Sequence, residues 1–154
     1  MTARLEIVIP RSEHARPLSE LFARIAIDPL SSRFHPHPFN MAEADRVCDH
    51  AGQDKYLALR LDERLIAYGL LRGWDEGFSV PSLGIYVEPE FHGSGAARLM
   101  MAHLHLTARL SGSQQIRLKV YSNNLPAYKL YVALGYDFSG PTDEGGQLVG
   151  VCHV

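Results

Sequence analysis

The pattern of apolar and polar positions changes period several times along the chain, and each change predicts a new element. Short apolar runs that end at proline, glycine or charged residues predict strands, whereas apolar residues at intervals of three and four predict helices. Pro17 suits the first turn of one helix, and Asn40 with Glu43 forms a capping-box-like start for the next. The predicted strands cover 5–9, 56–61, 65–71, 82–87, 116–121, 136–138 and 147–151, and the predicted helices begin near 17, 40, 95 and 124.

These elements follow one another in the order βααβββαβαββ. Such an order predicts an α/β (α+β) fold, with a mixed, mostly antiparallel sheet covered by helices on both faces. A proline-rich loop at 28–39 separates the first two helices. When successive residues are placed 100° apart, the third helix has one apolar side, which we expect to face the sheet. That side carries Leu99, Met100, Thr107 and Leu110, flanked by Leu104 and Leu106.

Length and composition indicate one ordinary globular domain over 1–154, since the chain has 154 residues, no repeat and no linker. Its 46% apolar and 21% charged residues are typical of soluble proteins. No apolar run approaches the roughly 18 residues of a membrane span, and the amino terminus lacks a signal-peptide core. Cys48 and Cys152 stand outside any CxxC pattern. We therefore expect a cytoplasmic protein without a membrane partner or a disulfide framework.

Charge is unevenly distributed behind the net value of −2. The segment 91–136 contains no acidic residue, and its basic residues are Arg98, Arg109, Arg117, Lys119 and Lys129. This density is thin for a nucleic-acid footprint, so we expect no nucleic-acid partner. A small polyphosphate ligand fits it better, with a chance distribution over solvated faces as the alternative.

Two glycines mark the turn between the strand at 82–87 and the helix that follows. Gly93 and Gly95 allow a tight turn whose N–H groups lie close to a ligand, and the start of the helix adds its own N–H groups. Such a turn is typical of a pyrophosphate site, although a plain strand-to-helix turn is the alternative. A dinucleotide fingerprint does not fit, because Arg98 stands at the third glycine position and no acid follows before Asp137.

Two motifs in this region identify a resemblance to the GNAT N-acetyltransferases that extends over essentially the whole chain. The first, V-x-P followed by R/Q-x-x-G-x-G/A, reads here as Val87-Glu88-Pro89 and His92-Gly93-Ser94-Gly95-Ala96-Ala97, with His92 in place of arginine or glutamine. The second, N-x-x-A-x-x-x-Y-x-x-x-G-[FY], is present in full as Asn124, Ala127, Tyr131, Gly135 and Tyr136.

The resemblance implies acetyl-CoA as cosubstrate, lying where the fourth and fifth strands splay apart. Its pantetheine arm would pair with Ile85, Tyr86 and Val87. Its pyrophosphate would rest on N–H groups of the loop formed by His92, Gly93, Ser94, Gly95, Ala96, Ala97 and Arg98. Asn124 would contact the cosubstrate from the start of the fourth helix. The 3′-phosphate would meet one of four basic residues, Arg98, Arg109, Lys119 or Lys129.

The implied reaction is direct attack of a primary amine on the thioester. A backbone N–H near Val87 would stabilise the oxyanion. Tyr131 would protonate the departing thiolate, unless it is simply a core tyrosine. Glu76 is the candidate general base, with a water relay from the backbone, or a plain surface role for this carboxylate, as alternatives. No metal is required.

The acceptor is expected to be a small-molecule amine in contact with His35, His37, Trp74 and Asp75. The loop Arg72–Phe78 resembles that of relatives in surface-sugar pathways, which favours an amino sugar or a nucleotide-linked amino sugar. His35 and His37 lack further ligands at metal-binding spacing. Acetylation of protein amino termini or lysines, and a non-catalytic acyl-CoA-sensing module, are the alternative functions. The resemblance leaves a homodimer open.

Overall fold

The computed structural model describes residues 2–29 and 34–154, so part of the predicted proline-rich loop, at 30–33, lies outside the described residues. The described chain forms an α/β fold of six strands and four longer helices. The strands are β1 (Leu5–Val8), β2 (Lys55–Leu61), β3 (Arg64–Arg72), β4 (Ser82–Val87), β5 (Gln115–Val120) and β6 (Leu148–His153). The helices are α1 (Ala15–Ile27), α2 (Met41–Cys48), α3 (Ala96–Leu110) and α4 (Leu125–Ala133).

All six strands form one sheet in their order along the chain, β1-β2-β3-β4-β5-β6. Every neighbouring pair is antiparallel except β4 and β5, which are parallel. The parallel pair is where α3 crosses from one strand to the next, as a parallel connection requires. The predicted class, a mixed and mostly antiparallel sheet with helices on both faces, is confirmed.

The predicted strand at 136–138 is reduced to a single bridge. Asp137 exchanges two backbone hydrogen bonds with Val151, of 2.9 and 3.0 Å. The Asp137 carboxylate then accepts the N–H of Ser139 over 2.8 Å, which turns the chain away from β6. A carboxylate that bonds its own backbone two residues on favours a turn over a continued ladder, and this ends the pairing.

The two faces of the sheet carry separate cores because neighbouring residues of a strand point to opposite sides. Tyr56 and Ala58 of β2 pack toward α1 and α2, whose buried side chains include Leu21. Leu57 and Leu59 pack toward α3 on the other face. The sheet is therefore covered on both sides, and a ligand can reach its middle strands only where they separate.

The third helix is rotated relative to the side expected from its pattern. Leu99, Leu106 and Leu110 are 41, 53 and 77% exposed. The side that packs on the sheet consists of Ala96, Met100, Met101, Leu104 and Ala108. Both sides are rich in leucine or methionine, so the pattern alone does not decide between them. Among the described residues, no helix has both the length and the apolar character that crossing a membrane requires.

A buried carboxylate holds the point where β4 leaves the sheet. Glu88 follows β4 directly, is 3% exposed, and forms ion pairs with Arg24 of α1 and Arg64 of β3. Arg24 also donates to the Leu65 carbonyl over 2.8 Å. These contacts tie α1 and β3 to the end of β4.

Candidate active site

Strands β4 and β5 separate soon after they meet. Within the described residues the two share one register pair, Ser82 with Arg117, beside a 3.0 Å hydrogen bond from the Arg117 N–H to the Pro81 carbonyl. β4 stays paired with β3 as far as Val87, and β5 stays paired with β6 along its length. Because each strand follows its other neighbour, a gap opens between them. The gap belongs to a cleft of about 970 Å³ lined by both strands.

Two residues of β4 present their backbone groups to this gap. The Glu88 N–H donates to the Ile66 carbonyl over 3.0 Å, so the backbone N–H and C=O groups of Glu88 and Tyr86 point toward β3. Because hydrogen-bonding groups alternate along an antiparallel strand, the N–H and C=O groups of Ile85 and Val87 point into the gap. An extended ligand that carries amides can pair with them as an additional strand would.

A glycine loop, defined here as residues 92–98, follows β4 and leads into α3. Gly93 and Gly95 have φ angles of +78° and +96°, a conformation that favours glycine. The Ser94 hydroxyl donates to the Phe91 carbonyl over 2.6 Å and accepts the Ala96 N–H over 3.3 Å. Among the N–H groups of the glycine loop, those of Gly93, Gly95, Ala97 and Arg98 donate to no acceptor in the described part of the chain. Donors clustered at a helix start form a site for an anion.

His92 connects the glycine loop to the end of β4. Its Nε2 lies 2.8 Å from the Val87 carbonyl oxygen. A carbonyl oxygen only accepts, so Nε2 carries the proton in this contact. The side chain is exposed and lines the cleft. Among the glycine-loop residues, His92 is the one that lines the cleft itself.

Tyr131, which belongs to the second motif, lines the cleft from α4. It lines the cleft with Asn124, and its residue is 8% exposed. Burial raises the pKa of Tyr131 to about 12, so its hydroxyl stays protonated at neutral pH. The ring packs on Tyr136, whose hydroxyl lies 2.7 Å from Nε2 of His105 in α3. Tyr136, just after α4, therefore links Tyr131 to α3.

The far end of the cleft holds residues that the motifs did not single out. The Tyr86 hydroxyl donates to the Asp28 carboxylate over 2.6 Å, and burial followed by this bond raises the pKa of Tyr86. The Phe34 ring stacks on Tyr86 at 6.1 Å and covers Gly84, where a Cβ would lie 3.0 Å from the ring. Asp28, Phe34 and Tyr86 all line the cleft. Proline-rich loops between helices were the available signal, but their spacing does not specify these contacts.

Of the predicted acceptor contacts, His35 and the candidate base Glu76 also line the cleft. Trp74 and Asp75 do not. Trp74 packs partly buried against the core on the α3 side. The Asp75 carboxylate accepts the Gln53 N–H over 2.6 Å, and this contact lowers the pKa of Asp75. The contacts of Trp74 and Asp75 stabilise the turn before β4, so their predicted role with the acceptor gains no support from their position.

The His37 side chain is buried and does not line the cleft, unlike its neighbours His35 and Pro36. Its Nδ1 donates to the Pro38 carbonyl over 2.7 Å, so in the neutral ring Nε2 accepts from the Tyr68 hydroxyl over 2.8 Å. Burial lowers the pKa of His37, which favours this neutral form. The contacts anchor the loop that carries Phe34, and the predicted direct contact between His37 and the acceptor gains no support.

The four basic candidates for a 3′-phosphate differ in position. Lys119 forms a 3.0 Å ion pair with Asp143. Arg109 lies in the last turn of α3, about 16 Å along the helix from the first turn, which carries Arg98. Lys129 is exposed on α4. Arg98 is therefore the candidate that adjoins the donor N–H groups of the glycine loop.

The potential metal ligands and the two thiols of the described part of the chain are not arranged as reactive groups. There, no group of three or more histidine, cysteine, aspartate or glutamate side chains is arranged to hold a metal ion. Both cysteines are free thiols. Burial raises the pKa of Cys48 to about 11, and burial also raises that of Cys152, so neither thiol is activated as a nucleophile.

The splayed parallel pair, the glycine loop that follows β4 and the buried tyrosine that lines the gap are the features that the resemblance to acyl-CoA-dependent N-acetyltransferases predicts. Residues 22–136 match the model of the acetyltransferase (GNAT) family. Because this match covers most of the chain, the protein belongs to the GNAT family.

Curated relatives agree with this membership over part of the chain. An uncharacterized N-acetyltransferase of Mycobacterium tuberculosis is 33% identical over 85 residues, which are 54% of this chain and 53% of that protein. The spermine/spermidine N(1)-acetyltransferase of Bacillus subtilis is 30% identical over 87 residues, which are 53% of this chain and 57% of that protein. The chain thus spans about half the length of the curated relatives it matches.

A solved structure agrees over nearly the whole chain. The PaiA N-acetyltransferase of Thermoplasma acidophilum, determined in complex with coenzyme A, superimposes with a TM-score of 0.72. The match covers 98% of this chain and 99% of that chain at 15% sequence identity. At this identity the likeness shows the fold.

Proposed function

We propose that this protein transfers the acetyl group of acetyl-CoA directly to a primary amine of a small molecule. The observation that carries the proposal is the gap between β4 and β5, where the backbone groups of Ile85 and Val87 face a cleft beside the glycine loop. A ligand with an amide-bearing arm and a pyrophosphate matches both features at once. Family membership supports the same ligand.

The cosubstrate would be held almost entirely by backbone. Ile85 and Val87 would pair with the pantetheine amides, and Tyr86 between them would line the path with its side chain. The N–H groups of residues 93, 95, 97 and 98 would bind the pyrophosphate, with His92, Ser94 and Ala96 shaping the loop. Arg98 would meet the phosphates, and Asn124 would contact the arm from the start of α4.

Acetyl-CoA supplies an activated thioester, and the residues of the chain would lower the barrier to its cleavage. The amine nitrogen bonds to the carbonyl carbon, the carbon–sulfur bond breaks, and the excess proton of the nitrogen passes to a base. A backbone N–H near Val87 would stabilise the negative charge on the carbonyl oxygen. Glu76 is the proposed base, since it is an acidic residue that lines the cleft.

Tyr131 would stabilise the departing sulfur. With a pKa of about 12, against about 8.5 for a simple thiol in water, this tyrosine is the weaker acid of the two groups. A hydrogen bond from the hydroxyl to the developing thiolate stabilises the thiolate without a complete proton transfer. Tyr131 therefore acts as a donor that stays protonated, and the thiolate takes its final proton from solvent.

The acceptor end favours a cationic amine. Asp28 and Glu76 place carboxylates in the cleft, and Phe34 and Tyr86 form an aromatic wall between helix and sheet. Carboxylates and aromatic faces both attract ammonium groups. The Bacillus subtilis relative is named for spermine and spermidine, which supports a polyamine-like acceptor. The amino sugar expected from the Arg72–Phe78 loop ranks second, because Trp74 and Asp75 do not line the cleft.

The test is a turnover assay with acetyl-CoA and a panel of polyamines, amino sugars, nucleotide-linked amino sugars, and peptides with free amino termini or lysines. We expect the highest rate with a polyamine, and a lower rate with the same amine for Glu76→Gln, by about 100-fold or more if Glu76 is the base. The exposed hairpin residue Glu63, changed to Gln, is the matched control. Preference for peptides would instead indicate a protein acetyltransferase. Binding of acetyl-CoA without turnover on any amine would indicate a sensing module.

A further inference from the structure

The side chain of His92 is hydrogen-bonded to a backbone carbonyl group, that of Val87, with which the proposed cosubstrate would pair. Its Nε2–H donates to the Val87 carbonyl over 2.8 Å, across the turn formed by residues 88–91. The turn itself is closed by backbone bonds, from the Phe91 N–H to the Glu88 carbonyl over 2.9 Å and from the His92 N–H to the Pro89 carbonyl over 3.1 Å. The short, hydrogen-bonded turn thus positions the His92 ring at the end of β4.

The Val87 carbonyl points into the gap, where a neighbouring strand would normally supply its donor. The backbone N–H of Glu88 is hydrogen-bonded to Ile66 of β3, so the backbone groups of the preceding residue, Val87, point away from β3. Within the described residues, β5 pairs with β4 at Ser82 alone. His92 therefore takes the place of the missing strand partner.

We propose that His92 is a displaceable cap, which holds the Val87 carbonyl in the free protein and yields it to a pantetheine amide N–H when acetyl-CoA binds. This inference rests on the proposed function, because it assumes that a pantetheine arm pairs with β4. It concerns a side chain that the family motif does not contain, since arginine or glutamine is usual at this position. The cap is exposed to solvent, so the ring can swing out without disturbing the core.

The exchange is expected to lower affinity for pantetheine ligands by a modest factor. Binding replaces one neutral hydrogen bond by another, and the bond that is given up has a net worth equivalent to about 2- to 12-fold in an equilibrium constant. Removal of the imidazole should therefore increase the affinity for acetyl-CoA by the same factor. A residue that helped to hold the cosubstrate would change affinity in the opposite direction, so the sign of the effect decides.

The experiment compares wild type and His92→Ala by calorimetry with two ligands. Acetyl-CoA carries the pantetheine arm, whereas adenosine 3′,5′-bisphosphate carries the nucleotide end alone. We expect His92→Ala to bind acetyl-CoA about 2- to 12-fold more tightly and the bisphosphate with unchanged affinity. His153→Ala, which removes an exposed histidine on β6, is the matched control and should bind both ligands as wild type does.

Nitrogen chemical shifts of the His92 ring provide a second readout in the wild-type protein. Acetyl-CoA should remove the hydrogen-bonded Nε2–H signature, and the bisphosphate should leave it in place. Equal or weaker binding of acetyl-CoA by His92→Ala, or a ring signal unchanged by acetyl-CoA, would overturn the cap. If the folded wild type binds no acetyl-CoA, the proposed function fails first and the cap fails with it.

Discussion

Tyr131 combines deep burial with an opening to the gap, and this combination limits what its hydroxyl can do. Burial keeps it protonated, so it can donate a hydrogen bond to a departing thiolate across the pH range in which most enzymes work. We predict that Tyr131→Phe lowers kcat roughly 10- to 100-fold, because the donor is lost from the transition state. Affinity for acetyl-CoA should change little. Steady-state kinetics and calorimetry on the same sample measure the two effects.

The matched control is Tyr128→Phe on the same helix. The Tyr128 ring packs on Phe138 at 5.0 Å and does not line the cleft. This variant should keep wild-type kcat. Wild-type turnover in Tyr131→Phe would remove the proposed role, and equal losses in both variants would point to a general effect on α4.

At the level of residues, motif positions on β4 and α4 lie on one cleft, whereas of the glycine loop His92 alone lines it. Ile85, Val87, Asn124 and Tyr131 lie on the cleft, since the two motifs fix their distances from a strand end and a helix start. Asp28 was missed, because it meets Tyr86 only through the packing of α1 on the sheet. Contacts between segments so far apart in sequence leave no local pattern to detect.

Two polar residues that were predicted to contact the acceptor show why residue type alone does not identify a site. His37 and Asp75 have side chains suited to catalysis or binding, which is why both were candidates. In the folded chain each satisfies nearby backbone groups, at Pro38 and Gln53 respectively. The residue type indicates which hydrogen bonds and proton transfers a side chain can make. Its neighbours in the folded chain decide whether the side chain is used to stabilise the fold or is left for a ligand.

Among the elements, one buried carboxylate links α1 and β3 to the end of β4. Glu88 is buried between Arg24 and Arg64, and both guanidinium groups are partly exposed. We predict that Glu88→Gln lowers the free energy of unfolding by about 1–3 kcal/mol, below the usual cost of breaking a fully buried pair because solvent screens the two arginines. Urea denaturation measures this change.

Glu90→Gln is the matched control for that prediction. Glu90 contacts the same Arg64 over 2.6 Å, but its side chain is 55% exposed. Its replacement should change the free energy of unfolding by less than about 1 kcal/mol. Equal effects of the two substitutions would contradict the assignment of Glu88 as the buried tie between these elements.

The order of elements was predictable, whereas two details of their arrangement were not. The pattern of α3 allowed two apolar sides, and the packing of Met101 and Ala108 against the sheet, with Leu99 and Leu110 exposed, selected one of them. The segment at 136–138 has the alternation of a strand, yet the Asp137 side chain bonds Ser139 and turns the chain. In both cases competing local signals were nearly balanced, and tertiary contacts decided.

Across the whole molecule, charge and shape favour the same ligand. The acid-free segment 91–136 includes the glycine loop, α3, β5 and α4, and its residues Arg117 and Lys119 line the cleft. The acceptor end brings Asp28 and Glu76 to the same cleft. A cosubstrate with phosphates would meet the basic residues of this segment, and a cationic acceptor would meet two carboxylates in a region that Arg72 also lines.

The most direct test of this account is calorimetric titration of the whole chain with acetyl-CoA, with 3′-dephospho-CoA and NADH as comparison ligands. We predict saturable binding of acetyl-CoA, weaker binding without the 3′-phosphate, and no binding of NADH, which has no pantetheine arm to pair with β4. A folded sample that binds no acetyl-CoA, or that binds NADH equally well, would contradict the assignment of the gap between β4 and β5 as an acetyl-CoA site.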